Sequence, residues 1–145
     1  MFIENLAETL NLGKQLSQKL NPQSIILLQG PIGAGKTSLV QGIAQGLSIS
    51  EDITSPTFAL SHHYKSGKIP LIHLDLYRLE NISSAKEVFY SEEEEALQSK
   101  AILVIEWPEL IEPYIENFWK IKISYAKNCG RHYEIRDPKN LLTFS

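Results

Sequence analysis

The chain has 145 residues, 43% hydrophobic and 21% charged, with a formal net charge of −3 and one cysteine. That is the composition of a single globular domain, 1–145, able to bury about 68–70% of its unfolded surface; it excludes an internal disulfide framework, and no apolar run approaches the ~18 residues of a membrane span. Met1–Glu4 lacks the basic start and apolar core of a signal peptide, and Arg78, Arg131 and Arg136 are too scattered for a nucleic-acid patch, so the expectation is a cytoplasmic protein that meets any RNA only through another protein.

In chain order, Phe2–Leu6 predicts a short strand and Ala7–Leu20 a helix with Leu10, Gly13, Leu16 or Ser17, and Leu20 on one face, ended by Asn21-Pro22. Thr9 reads as a solvated threonine early in that helix. Ser24–Gln29 predicts a buried strand feeding Gly30-Pro31-Ile32-Gly33-Ala34-Gly35-Lys36-Thr37, which fits the G-x-x-x-x-G-K-[ST] pattern of a phosphate-binding loop. Its glycines let backbone N–H groups turn inward onto phosphate oxygens at a helix N-terminus, where Lys36 would reach the β and γ phosphates and Thr37 would hold Mg²⁺. A Gly-rich turn capping an ordinary helix is the competing reading. The helix that follows carries Leu39, Val40, Ile43, Ala44 and Leu47 on its packed face.

Thr54-Ser55-Pro56-Thr57-Phe58 predicts an extended connection presenting hydroxyls, either a γ-phosphate-sensing segment or a plain loop. Alternation through Phe58, Leu60, His62 and Tyr64, then Ile72, Leu74 and Leu76, predicts a hairpin over about 57–77, added antiparallel to the sheet. It leaves Asp75 as a carboxylate on a buried strand, needing a magnesium ion, its water shell, Lys36 or a local bridge to Arg78 as partner. His62, His63, His73 and His132 show no metal-ligand spacing with Cys129 and read as structural or surface residues.

Asn81–Gln98 predicts a helix capped by Ser83 or Ser84 and anchored by Val88, Phe89 and Leu97, its Glu92–Glu95 run forming either a solvated face or a docking surface. Ala101–Ile105 predicts a second buried strand delivering Glu106 at its C-terminal end, where open α/β sheets bind ligands; Glu106 would hold Mg²⁺ or orient the attacking water, against a charge simply emerging into solvent. Trp107, held by Pro108, reads equally as packing or function. Trp119–Tyr125 and Tyr133–Ile135 around Asn128-Cys129-Gly130 predict a C-terminal hairpin with Arg131 either functional or, as the favoured reading, an exposed hairpin charge, followed by a tail from Asp137. The expected fold is therefore α/β: a phosphate-loop NTPase with a mainly parallel sheet flanked by helices and antiparallel hairpin additions.

The loop at 30–37, Ser55-Pro56-Thr57-Phe58, His73-Leu74-Asp75-Leu76-Tyr77-Arg78-Leu79 and Ile105-Glu106-Trp107-Pro108-Glu109, in this order and at these intervals, resemble the TsaE (YjeE) family over about 5–136. The family often carries Gly-Asp-Leu-Gly where this chain has Gly30-Pro31-Ile32-Gly33, and 87–100 lacks its usual Gly-Leu pattern.

The resemblance implies a weak Mg²⁺-dependent ATPase working with the TsaB and TsaD proteins in bacterial synthesis of N6-threonylcarbamoyladenosine at position 37 of tRNA. TsaD performs the transfer, and ATP hydrolysis by the TsaE-like protein resets the complex. Residue by residue it implies that Thr9, Ile32, Gly33, Ala34, Gly35, Lys36 and Thr37 hold ATP and that Thr37 and Glu106 bind Mg²⁺. By the same likeness Lys36, Asp75 and Glu106 support hydrolysis, and Ser55, Thr57 and Trp107 serve as switch or partner contacts. A small-molecule kinase and a non-hydrolysing nucleotide-dependent switch are the alternatives; the scarcity of arginines argues against a kinase lid.

Overall fold

The computed structural model describes residues 1–56 and 60–143. Thr57 and Phe58, within the expected switch segment and hairpin, lie outside them.

An apolar run with no polar face must be covered on both sides, and Ile26, Leu27 and Leu28 of β2 (Ile25–Gln29) are 0% exposed at the middle of an eight-stranded sheet. Beside β2 lie β5 (Ile102–Glu106) on one hand and β6 (Trp119–Tyr125) on the other, both parallel to it, with β4 (Leu71–Asp75) parallel beyond β5. Antiparallel strands finish the edges: β3 (Ser61–Tyr64) on β4, and β7 (Arg131–Arg136) on β6, with β1 (Phe2–Ile3) and β8 (Leu142–Thr143) both pairing β7. The 57–77 hairpin thus exists from residue 61 onward, but its second strand belongs to the parallel core. The expected tail folds back through β8.

Two helices cover one face and one the other. The first, α1 (Leu6–Ser17), starts where Asn5 Oδ1 accepts the Glu8 N–H at 2.9 Å, and it ends before the predicted Leu20. It buries Thr9, Leu12, Gly13, Leu16 and Ser17 against α2 (Lys36–Gly46), with Leu10 only partly covered. On the opposite face α3 (Ile82–Ser99) is capped by Asn81, whose Oδ1 accepts the Ser84 N–H at 2.8 Å. Ser83 and Ser84 are therefore not its caps. Its buried contacts are Ala85, Phe89 and Ala96; Leu97, an expected anchor, is 55% exposed. In the acidic run, Glu92 binds His63 Nε2 at 2.7 Å and accepts from Ser61 Oγ at 3.0 Å, tying α3 to the edge strand β3. Among the described residues no helix is long and apolar enough to cross a membrane.

Candidate functional site

Strand β2 hands directly to the loop and the loop to α2, so the tight reversal must be made by residues tolerating positive φ. Gly33 (φ 80°) and Gly35 (φ 103°) make it. The first amides of a helix have no partner within it, and in α2 no side chain caps them, so they and the positive dipole end open into a cleft of about 420 Å³.

Register carries the acids to the same place. Asp75 ends β4 and Glu106 ends β5, and the two are direct partners across the parallel pair, so both carboxylates line this cleft with Lys36, Thr37, Ser55 and Trp107. Glu106 is 3% exposed, which rules out a charge emerging into solvent. Asp75 Oδ1 accepts the Tyr77 N–H at 2.9 Å and Ser55 Oγ lies 3.4 Å from Oδ2. Burial pushes the Asp75 carboxyl above its ordinary range; the Tyr77 N–H opposes this, and the neighbouring Glu106 charge adds to it. Lys36, buried at the helix start, donates to Gly30 O at 2.5 Å, and its Nζ stands 3.8 Å over the Trp107 ring. Burial lowers its pKa against the pull of Glu106, Asp75 and Glu109. Trp107 adopts φ 57°, which turns the ring out of the strand direction onto Lys36 and Tyr77 (centroids 4.8 Å apart).

A second cavity of about 300 Å³ adjoins the loop on the side of α1, lined by Asn5, Thr9, Gly33, Gly35, Ser38 and Arg131 among others. Thr9 is 6% exposed there, its hydroxyl 3.3 Å from Asn5 O, so it is not a solvated residue. The C-terminal hairpin clasps the loop from outside. Tyr125 Oη donates to Ile32 O at 2.7 Å, the Arg131 guanidinium stacks 4.4 Å over the Tyr125 ring, and Arg131 Nη2 lies 3.4 Å from Gly33 O. Arg131 is consequently not a plain hairpin charge. Beneath Gly35 lies the buried Tyr133 hydroxyl, which has no hydrogen-bond partner of proper geometry among the described residues; burial raises its pKa against the influence of the nearby Thr9 hydroxyl and Arg131.

Apart from Thr57, which is not described, the structure brings every expected site residue to one of these two adjoining cavities. It adds Arg131, weighed in the sequence as functional or as an exposed charge, to the lining of the second cavity, and sets Tyr125 and Tyr133, signalled only as a hairpin, against the loop and His73 against Glu106. Read as structural or surface, His73 is 0% exposed and bonded to Glu106 Oε2 at 2.5 Å. Its signal was a polar residue two places before Asp75, on the same strand face.

The residues present suit a hard cation of the magnesium type. Thr37 and Glu106 offer oxygen donors beside a cradle of backbone amides, and among the described residues no cluster of three His, Cys, Asp or Glu could hold a metal by protein ligands alone.

A parallel strand, a Gly-rich turn and a helix start, with acids delivered by neighbouring strands, define a phosphate-loop α/β protein. The model of the threonylcarbamoyl adenosine biosynthesis protein TsaE matches residues 3–133, and the chain belongs to the TsaE family. It is 43% identical to the tRNA threonylcarbamoyladenosine biosynthesis protein TsaE of Nostoc sp. over 137 residues, covering 93% of this chain and 83% of that one. The Synechocystis sp. protein of the same name is 48% identical over 112 residues, 74% of this chain and 69% of that one. The crystal structure of Bacillus subtilis YdiB superposes with a TM-score of 0.74 at 27% identity, over 92% of this chain and 80% of that one.

Proposed function

We propose that the protein binds ATP and Mg²⁺ and hydrolyses the β–γ bond as the weak, partner-regulated ATPase of cytoplasmic threonylcarbamoyladenosine synthesis on tRNA. It works with TsaD and TsaB, touches tRNA only through them, and resets the complex between rounds of transfer. One observation carries this reading: Lys36, Asp75 and Glu106 converge from three elements on a single cleft at the mouth of α2.

Phosphoryl transfer asks a protein mainly to position and neutralise charge. Loop amides from Ile32 to Thr37 cradle phosphate oxygens, and Thr9 and the adjoining cavity take the nucleoside side. Lys36 exchanges Gly30 O for phosphate. Thr37 and Glu106 would hold Mg²⁺, which when bound neutralises charge on the phosphates. Asp75 accepts a hydrogen bond from the attacking water, and its raised pKa suits a proton acceptor that must not be too weak a base. Ser55 beside Asp75 couples the following segment, including Thr57, to the state of the nucleotide. Trp107 holds Lys36 until phosphate arrives and faces the partner.

The test is tRNA modification reconstituted with TsaB and TsaD. Lys36→Ala and Glu106→Ala should each lower ATP turnover by on the order of 10²-fold and stop the reaction after its first rounds. Unimpaired cycling by either removes its assigned role, and phosphate found on a small acceptor would make the protein a kinase instead.

A further inference from the structure

We infer that His73 is a positioning residue for Glu106: its imidazole holds one carboxylate oxygen and leaves the other aimed at the metal in the cleft. The inference rests on the assignment of Glu106 to Mg²⁺ proposed above.

His73 lies on β4 between Leu71 and Asp75, pointing to the face covered by α1 and α2, where its neighbours in the sheet include Leu71 and Val104. An aliphatic side chain would satisfy that seat. The histidine instead reaches Glu106 Oε2 at 2.5 Å, with both groups nearly closed to solvent. A carboxylate only accepts, so Nε2 carries the hydrogen, and Nδ1 is left buried with no partner among the described residues. A buried polar atom without a partner is tolerated where its group performs a task that packing does not, and here the visible task is the bond to Glu106. A glutamate at a strand end has rotamers that would turn it out of the cleft. Pinning Oε2 restricts it to those presenting Oε1, as partners behind metal ligands do elsewhere.

Three variants test this, using Mn²⁺ as the EPR-visible stand-in for Mg²⁺ with a non-hydrolysable ATP analogue. His73→Leu fills the seat without a donor, His73→Gln places an amide N–H near the position of Nε2, and Glu106→Ala removes the ligand. His73→Leu should weaken Mn²⁺ binding about 10- to 100-fold, with metal-free nucleotide affinity within about 2-fold of wild type and His73→Gln recovering most of the loss. A purely structural role would lower the melting temperature and both affinities together. Should His73→Leu not fold, His73→Asn, whose amide stops short of Oε2, replaces it in the comparison with His73→Gln. Wild-type Mn²⁺ affinity in the donor-free variant, while Glu106→Ala loses the metal, overturns the role of His73 alone. Wild-type affinity in Glu106→Ala overturns the metal assignment and this inference with it.

Discussion

Asp75 is held where its charge is unwelcome. Its folded carboxyl titrates above the ordinary 3.8 because burial strips its hydration, which outweighs the Tyr77 N–H. An acid raised on folding binds its proton more tightly in the native state, so its stabilising effect is full below 3.8 and is lost as pH rises through the folded value. Asp75→Asn, which keeps an oxygen for the Tyr77 N–H, should therefore melt higher than wild type at pH 8, and the gain should shrink as pH falls to 3.8. An equal gain at both values would mean that charge burial is not the cause. The same variant should lose hydrolysis, which places the site's function and its cost on one side chain.

Helices α1 and α2 meet backbone to backbone where Gly13 faces Gly42. A Cβ on Gly42 would stand 2.5 Å from Leu10 O, and one on Gly13 would stand 2.7 Å from the Gly42 backbone. The contacts are backbone, so relief requires a helix to move, and α2 is the helix whose first turn carries Lys36 and Thr37. Gly42→Ala should destabilise the protein by about 1–3 kcal/mol, read as a lower urea midpoint at unchanged slope, and should weaken nucleotide binding as the loop is displaced. A midpoint equal to wild type would show that the crossing is looser than these distances. At this scale the sequence was read well where periodicity spoke, as in β2, β5 and α2. It was read less well where a single polar side chain decided an end: Asn5 starts the first helix at Leu6, within the predicted strand, and Asn81 rather than Ser83 or Ser84 caps the third.

Across the whole molecule, the last third of the chain returns to hold the loop made by the first. Strand β6 docks parallel to β2, and this register carries Tyr125 and Arg131 to the outer wall of 32–35. Tyr125→Phe keeps the ring under the Arg131 guanidinium and deletes the donor to Ile32 O. One such hydrogen bond contributes about 0.5–1.5 kcal/mol net; if it shapes the loop for nucleotide, affinity should fall about 2- to 10-fold, measured with a fluorescent ATP analogue, while the melting temperature should fall by only the few degrees that a bond of this size at the exposed Tyr125 contributes. Unchanged affinity would separate the hairpin from the site.

The phosphate loop, its strand and helix, and the candidate acids Asp75 and Glu106 were legible from residue order alone, because each depends on local chemistry: glycines where φ must be positive, an apolar run where a strand is covered on both faces, an acid at a strand's end. Which residues stand behind them was decided only by the tertiary structure. That His73 backs Glu106, that Thr9 is buried beside the loop, and that Arg131 reaches Gly33 depend on strand order and register, which pair side chains far apart in the chain and leave no periodic trace in either partner.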